Sequence, residues 1–160
     1  MPLPAHLEAF WSDFLRASPS ADHGRYYEAF FFGDSEEMAN ELAELVLLGT
    51  KRATAGSLWS YEVENQPLPQ AGNLSVVTNF SGKPLCVIET QSVEVVPFNE
   101  VTAEFAAIEG EGDGTLSFWK RAHQEFFARD CARIGLRFSE SMPVVCERFA
   151  VVYQAGKSAA

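Results

Sequence analysis

The spacing of apolar residues changes twice along this chain, and that change constrains the fold more than any other feature. Up to Val46 the apolar side chains recur every three or four residues, as on one face of a helix. From Leu74 to Val96 they alternate in twos, as on a strand with one buried face. Helical spacing then returns, and a last two-residue alternation runs from Pro143 to Tyr153. Amphipathic helices and half-buried strands must bury their apolar sides against each other. The pattern therefore predicts an α+β domain: three or four mostly antiparallel strands curved into a small, partly closed barrel, with helices packed around it.

The individual elements follow from the same spacing. Leu7, Phe10, Trp11, Phe14 and Leu15 make one stripe, which predicts a first helix over Leu3 to Ala17, stopped by Ser18-Pro19. The aromatic stretch Tyr26 to Phe32 fits a short strand or a buried turn. Asp34 is expected to cap a second helix, with Glu37 reaching back three residues and Met38, Leu42, Leu45 and Val46 facing inward. Gly49 ends it. Leu58 to Glu64 predicts a further short helix, Leu74 to Phe80 and Leu85 to Val96 two strands, and Val101 to Ile108 another short helix. The loop Glu109 to Gly114 places three glycines among three acids. Thr115 is the expected cap of a long helix reaching about Ile134, with Leu116, Trp119, Phe126 and Phe127 inward. Pro143 to Tyr153 predicts the last strand, with Val145, Phe149, Val151 and Tyr153 on one face. The tail from Gly156 to Ala160 is expected to fray.

Composition bounds the partners. At 160 residues, with 47% hydrophobic residues and 13 Phe, there is enough material for one domain with its own core. No linker or internal repeat divides it. Lys and Arg number 12 against 22 acids, a formal charge of −10. Polynucleotide binding favours a basic surface, so a long nucleic acid is a poor partner, whereas a small nucleoside-type ligand is not excluded. Cys86, Cys131 and Cys146 match neither a disulfide framework nor a metal signature; free core thiols in a reducing cytoplasm fit best. No apolar run is long enough to span a membrane, and Met1 to Phe10 lacks the pattern of a signal peptide. No metal or other cofactor is expected.

Three places carry candidate chemistry. Lys51 and Thr54 follow directly on the end of a buried helix. A lysine and a hydroxyl at i and i+3 meet only if the backbone between them is turned. A lysine held against apolar walls loses preference for its charged form and becomes available as a base. Glu109 follows the apolar face of a helix, which places its carboxyl near the sheet, whereas the rest of its loop reads as a solvated acidic turn. His123 shares a stripe with Trp119 and Phe126 and reads first as a packed, hydrogen-bonded core residue. Glu147 shares a strand face with Val145 and Phe149, so it needs a partner or belongs to a pocket; a structural ion pair is the simpler expectation.

Six fragments occur in order: Phe32-Gly33-Asp34-Ser35, Leu47 through Thr54, Pro67-Leu68-Pro69, Glu109 through Asp113, Phe118 through His123, and Val145 through Phe149. Together, over roughly Tyr27 to Tyr153, they resemble the ASCH domain family, with the helix at Leu3 to Ala17 as an addition. The resemblance implies a PUA-like fold, a small β-barrel with helices and a cleft beside it. Small bacterial members similar at Gly-x-Lys-x-x-Thr hydrolyse N4-acetylcytidine with a Lys, a Thr and a Glu. These correspond to Lys51, Thr54 and Glu109, the last by its place between a short helix and the next Thr-Leu start. The acidic loop and the aromatic helix are longer here than in those enzymes. On this resemblance Thr54 is the nucleophile or positions a water, Lys51 takes the proton, and Glu109 supports it. Arg52, Trp59, Tyr61, Ser117, Trp119 and His123 are the expected substrate contacts, the aromatics by stacking. Two other readings follow from the family: a non-catalytic binder of single-stranded RNA or a modified base, and a metal-independent ribonuclease pairing Lys51 with Ser117 or Tyr61.

Overall fold

The computed structural model describes residues 2–156, so the expected fraying of residues 157–160 lies outside the described residues. Five strands form one mixed sheet in the order β1-β3-β4-β5-β2. They are β1 (Tyr26–Phe30), β2 (Ala53–Ser57), β3 (Leu74–Thr78), β4 (Pro84–Pro97) and β5 (Pro143–Gln154). Only β1 and β3 run parallel; the other three pairings are antiparallel. The expectation of a mostly antiparallel sheet therefore holds, with more strands than anticipated. The partly closed barrel is not confirmed, because the sheet does not close. β1 and β2 end the order without pairing to each other, and the open edges leave room for helices to cover both faces.

Five helices accompany the sheet: α1 (Glu8–Ala17), α2 (Glu36–Leu47), α3 (Leu58–Val63), α4 (Ala103–Glu109) and α5 (Leu116–Arg133). Their placement follows from strand alternation. On β3, Leu74 and Val76 pack with Leu7, Trp11 and Phe14 from the N-terminal helical segment. Val77, the next residue along, packs with Ala43 and Val46 of α2, on the other face. On β5, Val144 and Cys146 join Phe105, Trp119 and Phe127 of α4 and α5, which leaves Val145 and Glu147 for the opposite side. The cysteines are all free and buried. No helix among the described residues is long and apolar enough to cross a membrane.

Two local expectations change. Ser35, not Asp34, caps α2, its Oγ accepting from the Met38 amide at 3.2 Å. Asp34 sits one residue too early and instead pairs with Arg129 of α5 at 2.8 Å. The innermost face of α2 is Ala39, Ala43 and Val46, because small side chains let the helix approach the sheet; Met38, Leu42 and Leu45 lie partly exposed at its margins. Thr115 caps α5 as expected, accepting from the Phe118 amide at 3.1 Å.

Candidate active site

The turn between α2 and β2 delivers Lys51 inward. The amides of both Thr50 and Lys51 reach back to the Leu45 carbonyl, at 3.0 and 3.1 Å, which tightens the chain just before Lys51. The Arg52 amide then donates to the Ile108 carbonyl at 2.9 Å, tying this turn to the end of α4. Lys51 is 1% exposed. Its ammonium donates to the Ala53 carbonyl at 2.7 Å and to carboxylates of Glu109 and Glu111, each at 2.8 Å. The Phe32 ring lies 5.2 Å from the same nitrogen.

Gly110 makes the approach of Glu109 possible. It has φ +68°, and a Cβ there would stand 2.2 Å from the Thr50 carbonyl oxygen. Only glycine tolerates both the left-handed conformation and that proximity. The chain can then turn so that carboxyls two residues apart, Glu109 and Glu111, both face Lys51. Glu111 was expected in a solvated turn; its side chain is only 15% exposed. The signal for it lay in the sequence as the alternation Glu109-Gly110-Glu111-Gly112, since glycines on both sides let a loop fold back.

α5 completes the cluster. Trp119 donates its indole N–H to Glu109 Oε1 at 2.6 Å. One turn on, His123 stacks on Trp119 at 4.1 Å and places Nε2 3.3 Å from the same oxygen. His123 Nδ1 faces the Trp119 carbonyl at 2.9 Å. Both ring nitrogens thus face oxygens that only accept, an arrangement that favours the imidazolium.

The electrostatics overturn one expectation. Burial alone would lower the Lys51 pKa, but the charges of Glu109 and Glu111 outweigh it and raise it, so Lys51 is a cation at neutral pH and not a resting base. Burial opposes ionisation of Glu109 as well, yet Lys51 and His123 hold its carboxyl well below the ordinary range. Glu111 behaves differently: burial, opposed by Lys51 and reinforced by Glu109, pushes it up to about 7. His123 is depressed by burial but raised on balance by Glu109. Glu109, Glu111 and His123 have ligand atoms within 4.8 Å of one another. The Lys51 ammonium already bonds both carboxylates, so a metal would have to displace it.

A cleft opens over this cluster in two compartments. The smaller, of about 70 Å³, is lined by Lys51, Thr54, Glu109, Glu111 and His123 with Phe32 and Phe126. The larger, of about 290 Å³, continues from Thr54 and Phe32 to Glu28, Ser57, Tyr61 and Glu147. Lys51, Thr54, Glu109 and His123 therefore meet at one compartment, and Tyr61 lines the other. Glu147 is a pocket carboxyl and, among the described residues, not a member of an ion pair; it accepts from Thr90 Oγ1 at 2.7 Å. Its strand position directly opposite Thr54 explains this, since antiparallel partners share a face.

Four expected contacts lie outside both compartments. Trp119 is buried beneath the cluster, its indole committed to Glu109, and has no free face for a base. Trp59 packs against the core that holds Trp119 and Phe127. Arg52 and Ser117 are exposed, Arg52 because the residue after an inward lysine points away, Ser117 because it occupies the outer side of α5.

An ASCH domain model matches residues 28–153. The crystal structure of an ASCH domain from Lactobacillus crispatus JV V101 is 38% identical, with a TM-score of 0.85 over 96% of this chain and 98% of that one. A protein from Enterococcus faecalis V583 is 37% identical, with a TM-score of 0.85 over 92% and 88% of the two chains. No curated protein matches. With the family model spanning most of the chain and two crystal structures agreeing over nearly all of it, this protein belongs to the ASCH domain family.

Proposed function

We propose that this protein hydrolyses the amide at the exocyclic nitrogen of an N4-acylated cytosine nucleoside such as N4-acetylcytidine. One observation carries the reading: a buried ammonium, held between two carboxyls, lines the same small compartment as a threonine hydroxyl. Amide cleavage needs a nucleophile, a base to take its proton and a positive group beside the developing oxyanion. Thr54 supplies the hydroxyl. The base is Glu111, whose pKa near neutrality suits it to accept and return a proton, and the Lys51 N–H that Glu111 holds at rest turns to the oxyanion once Glu111 is protonated.

The sequence of bonds is then balanced. Thr54 Oγ adds to the acyl carbon while its proton passes to Glu111. The C–N4 bond breaks as Glu111 returns that proton to the leaving nitrogen, releasing cytidine. Water, activated by the same carboxylate, hydrolyses the acyl-threonine. Glu109 keeps Lys51 charged and in place, and it is itself oriented by Trp119 and His123.

Purified protein incubated with N4-acetylcytidine should release cytidine and acetate, followed by chromatography. Thr54→Ala should lower kcat by about 100-fold or more, and Lys51→Ala by a similar factor. Thr54→Ala removes no buried charge, so its fold is expected to stay intact and its loss of turnover to report chemistry. Undetectable turnover by the wild type at high enzyme, or full activity in Thr54→Ala, would defeat the mechanism.

A further inference from the structure

The larger compartment holds groups that the mechanism above leaves unused. It shares Phe32, Gly33, Thr54, Ala55 and Phe126 with the smaller one, so a single ligand can extend through both. Its walls are acidic: Glu28, Glu64, Asp130 and Glu147. The one cationic side chain in its lining, Arg133, is already bonded to Glu64 and Asp130, each at 3.0 Å.

Glu28 and Glu147 take part in no ion pair among the described residues. Glu147 is 7% exposed and accepts one hydrogen bond, from Thr90; Glu28 accepts one, from the Gln66 amide at 3.1 Å. A carboxylate has about four acceptor positions, so each retains unused capacity. Buried polar groups are ordinarily well paired, and two largely buried carboxyls with unused acceptor positions at one cavity mark a place where a ligand completes the bonding.

We propose that this compartment recognises the part of the substrate that does not react, with Glu28 and Glu147 bonding its N–H and O–H groups, and that its acidic walls select the unphosphorylated form against the phosphorylated one. The proposal rests on the reading that the acyl amide occupies the smaller compartment. The donor groups it fits are sugar hydroxyls and ring N–H groups. A phosphate placed there meets the unpaired Glu28 and Glu147 and, among the described residues lining the cavity, only a cation already paired with Glu64 and Asp130, and like charges in a partly desolvated site oppose binding. Burial, opposed by the Gln66 hydrogen bond, pushes the Glu28 carboxyl up to about 7, and burial also raises that of Glu147, as expected where ligand donors are missing. The same charge disfavours the phosphate-rich RNA backbone, against the alternative of an RNA-binding cleft.

The test compares N4-acetylcytidine with its 5′-monophosphate on the intact protein. The wild type should favour the nucleoside by roughly 100-fold in kcat/KM. Glu147→Gln and Glu28→Gln should each narrow that ratio by about tenfold, mainly through KM. Equal handling of the two substrates, or an unchanged ratio in both variants, overturns the inference while leaving the hydrolase reading standing. A calorimetric titration with cytidine and with cytidine 5′-monophosphate separates the remaining cases, because it needs no turnover. Preferential cytidine binding that weakens in Glu147→Gln sustains the recognition site even where N4-acetylcytidine is not cleaved. Binding of neither ligand, or tighter binding of the monophosphate, removes it.

Discussion

The two compartments of the cleft bury carboxyl groups in opposite ways. In the smaller one, Glu109 and Glu111 share the Lys51 ammonium, and His123 stands beside Glu109, so cationic groups match the acidic ones within ion-pair distance. In the larger one, Glu28 and Glu147 are held, among the described residues, by the neutral donors Gln66 and Thr90. The contrast shows up in protonation. Glu109 is driven well below the ordinary carboxylate range by Lys51 and His123 despite its burial, whereas burial raises Glu28 and Glu147. A compensated cluster is a rigid, preorganised device suited to stabilising charge in a reaction. An uncompensated one is left short of donors, as a binding surface is before its ligand arrives.

The strongest way to break the contrast is to remove the shared cation. Lys51→Met leaves Glu109 and Glu111 buried without their main counter-charge and should destabilise the protein by about 3–5 kcal/mol, read from urea unfolding. A loss below about 1 kcal/mol would mean that the cluster is not compensated in the way its geometry indicates.

Next in size is Gly110→Ala. The positive φ and the 2.2 Å approach to the Thr50 carbonyl both oppose a side chain there, so the loop must move. A cost of about 2 kcal/mol or more is expected, together with reduced turnover, since Glu111 is carried away from Lys51. Unfolding curves and N4-acetylcytidine hydrolysis measure the two parts separately; unchanged stability would show that this close approach is not required.

The smallest effect, and opposite in sign, belongs to the larger compartment. Because the folded pKa of Glu28 is raised to about 7, the folded state binds the proton more tightly than the unfolded chain does. Stability from this group is therefore complete below the unfolded value and is lost as pH rises toward about 7, with no further change above. Glu28→Gln should remove that loss. The variant should match the wild type near pH 4 and exceed it by about 1–3 kcal/mol near pH 8, measured by denaturation across pH. For Glu109 the sign is reversed: its contribution is present above the unfolded value and lost as pH falls. A Glu28→Gln variant less stable than the wild type at pH 8 would erase the distinction between the compartments.

Much of this was legible before any coordinates. The periods of three to four and of two located the five α-helices and the strands β3, β4 and β5, whereas β1 was open between strand and turn and β2, too short and small-residue-rich to show a period, was not anticipated. The Gly-x-Lys-x-x-Thr segment, placed after a capped apolar helix, pointed to Lys51 and Thr54, and the position of Glu109 after an apolar helical face pointed inward. Glu111 escaped because an acidic, glycine-rich loop has the composition of a solvated turn. Only the fold-back at Gly110 shows otherwise. Trp119 looked like a stacking platform because an aromatic residue reads the same in sequence whether its face is free or committed to Glu109.

The amino-acid order alone determined the five α-helices and the strands β3, β4 and β5, because their periodicity is a local property, whereas β1 and β2 became strands through pairing with β3 and β5. It also set the formal net charge at −10. Tertiary structure alone decided that the sheet stays open, which carboxyls share a cation, and that Lys51 is charged. Those outcomes depend on groups 58 and 60 residues apart in the chain coming within 3 Å, and the sign of a buried pKa shift is set by such neighbours rather than by the residue itself.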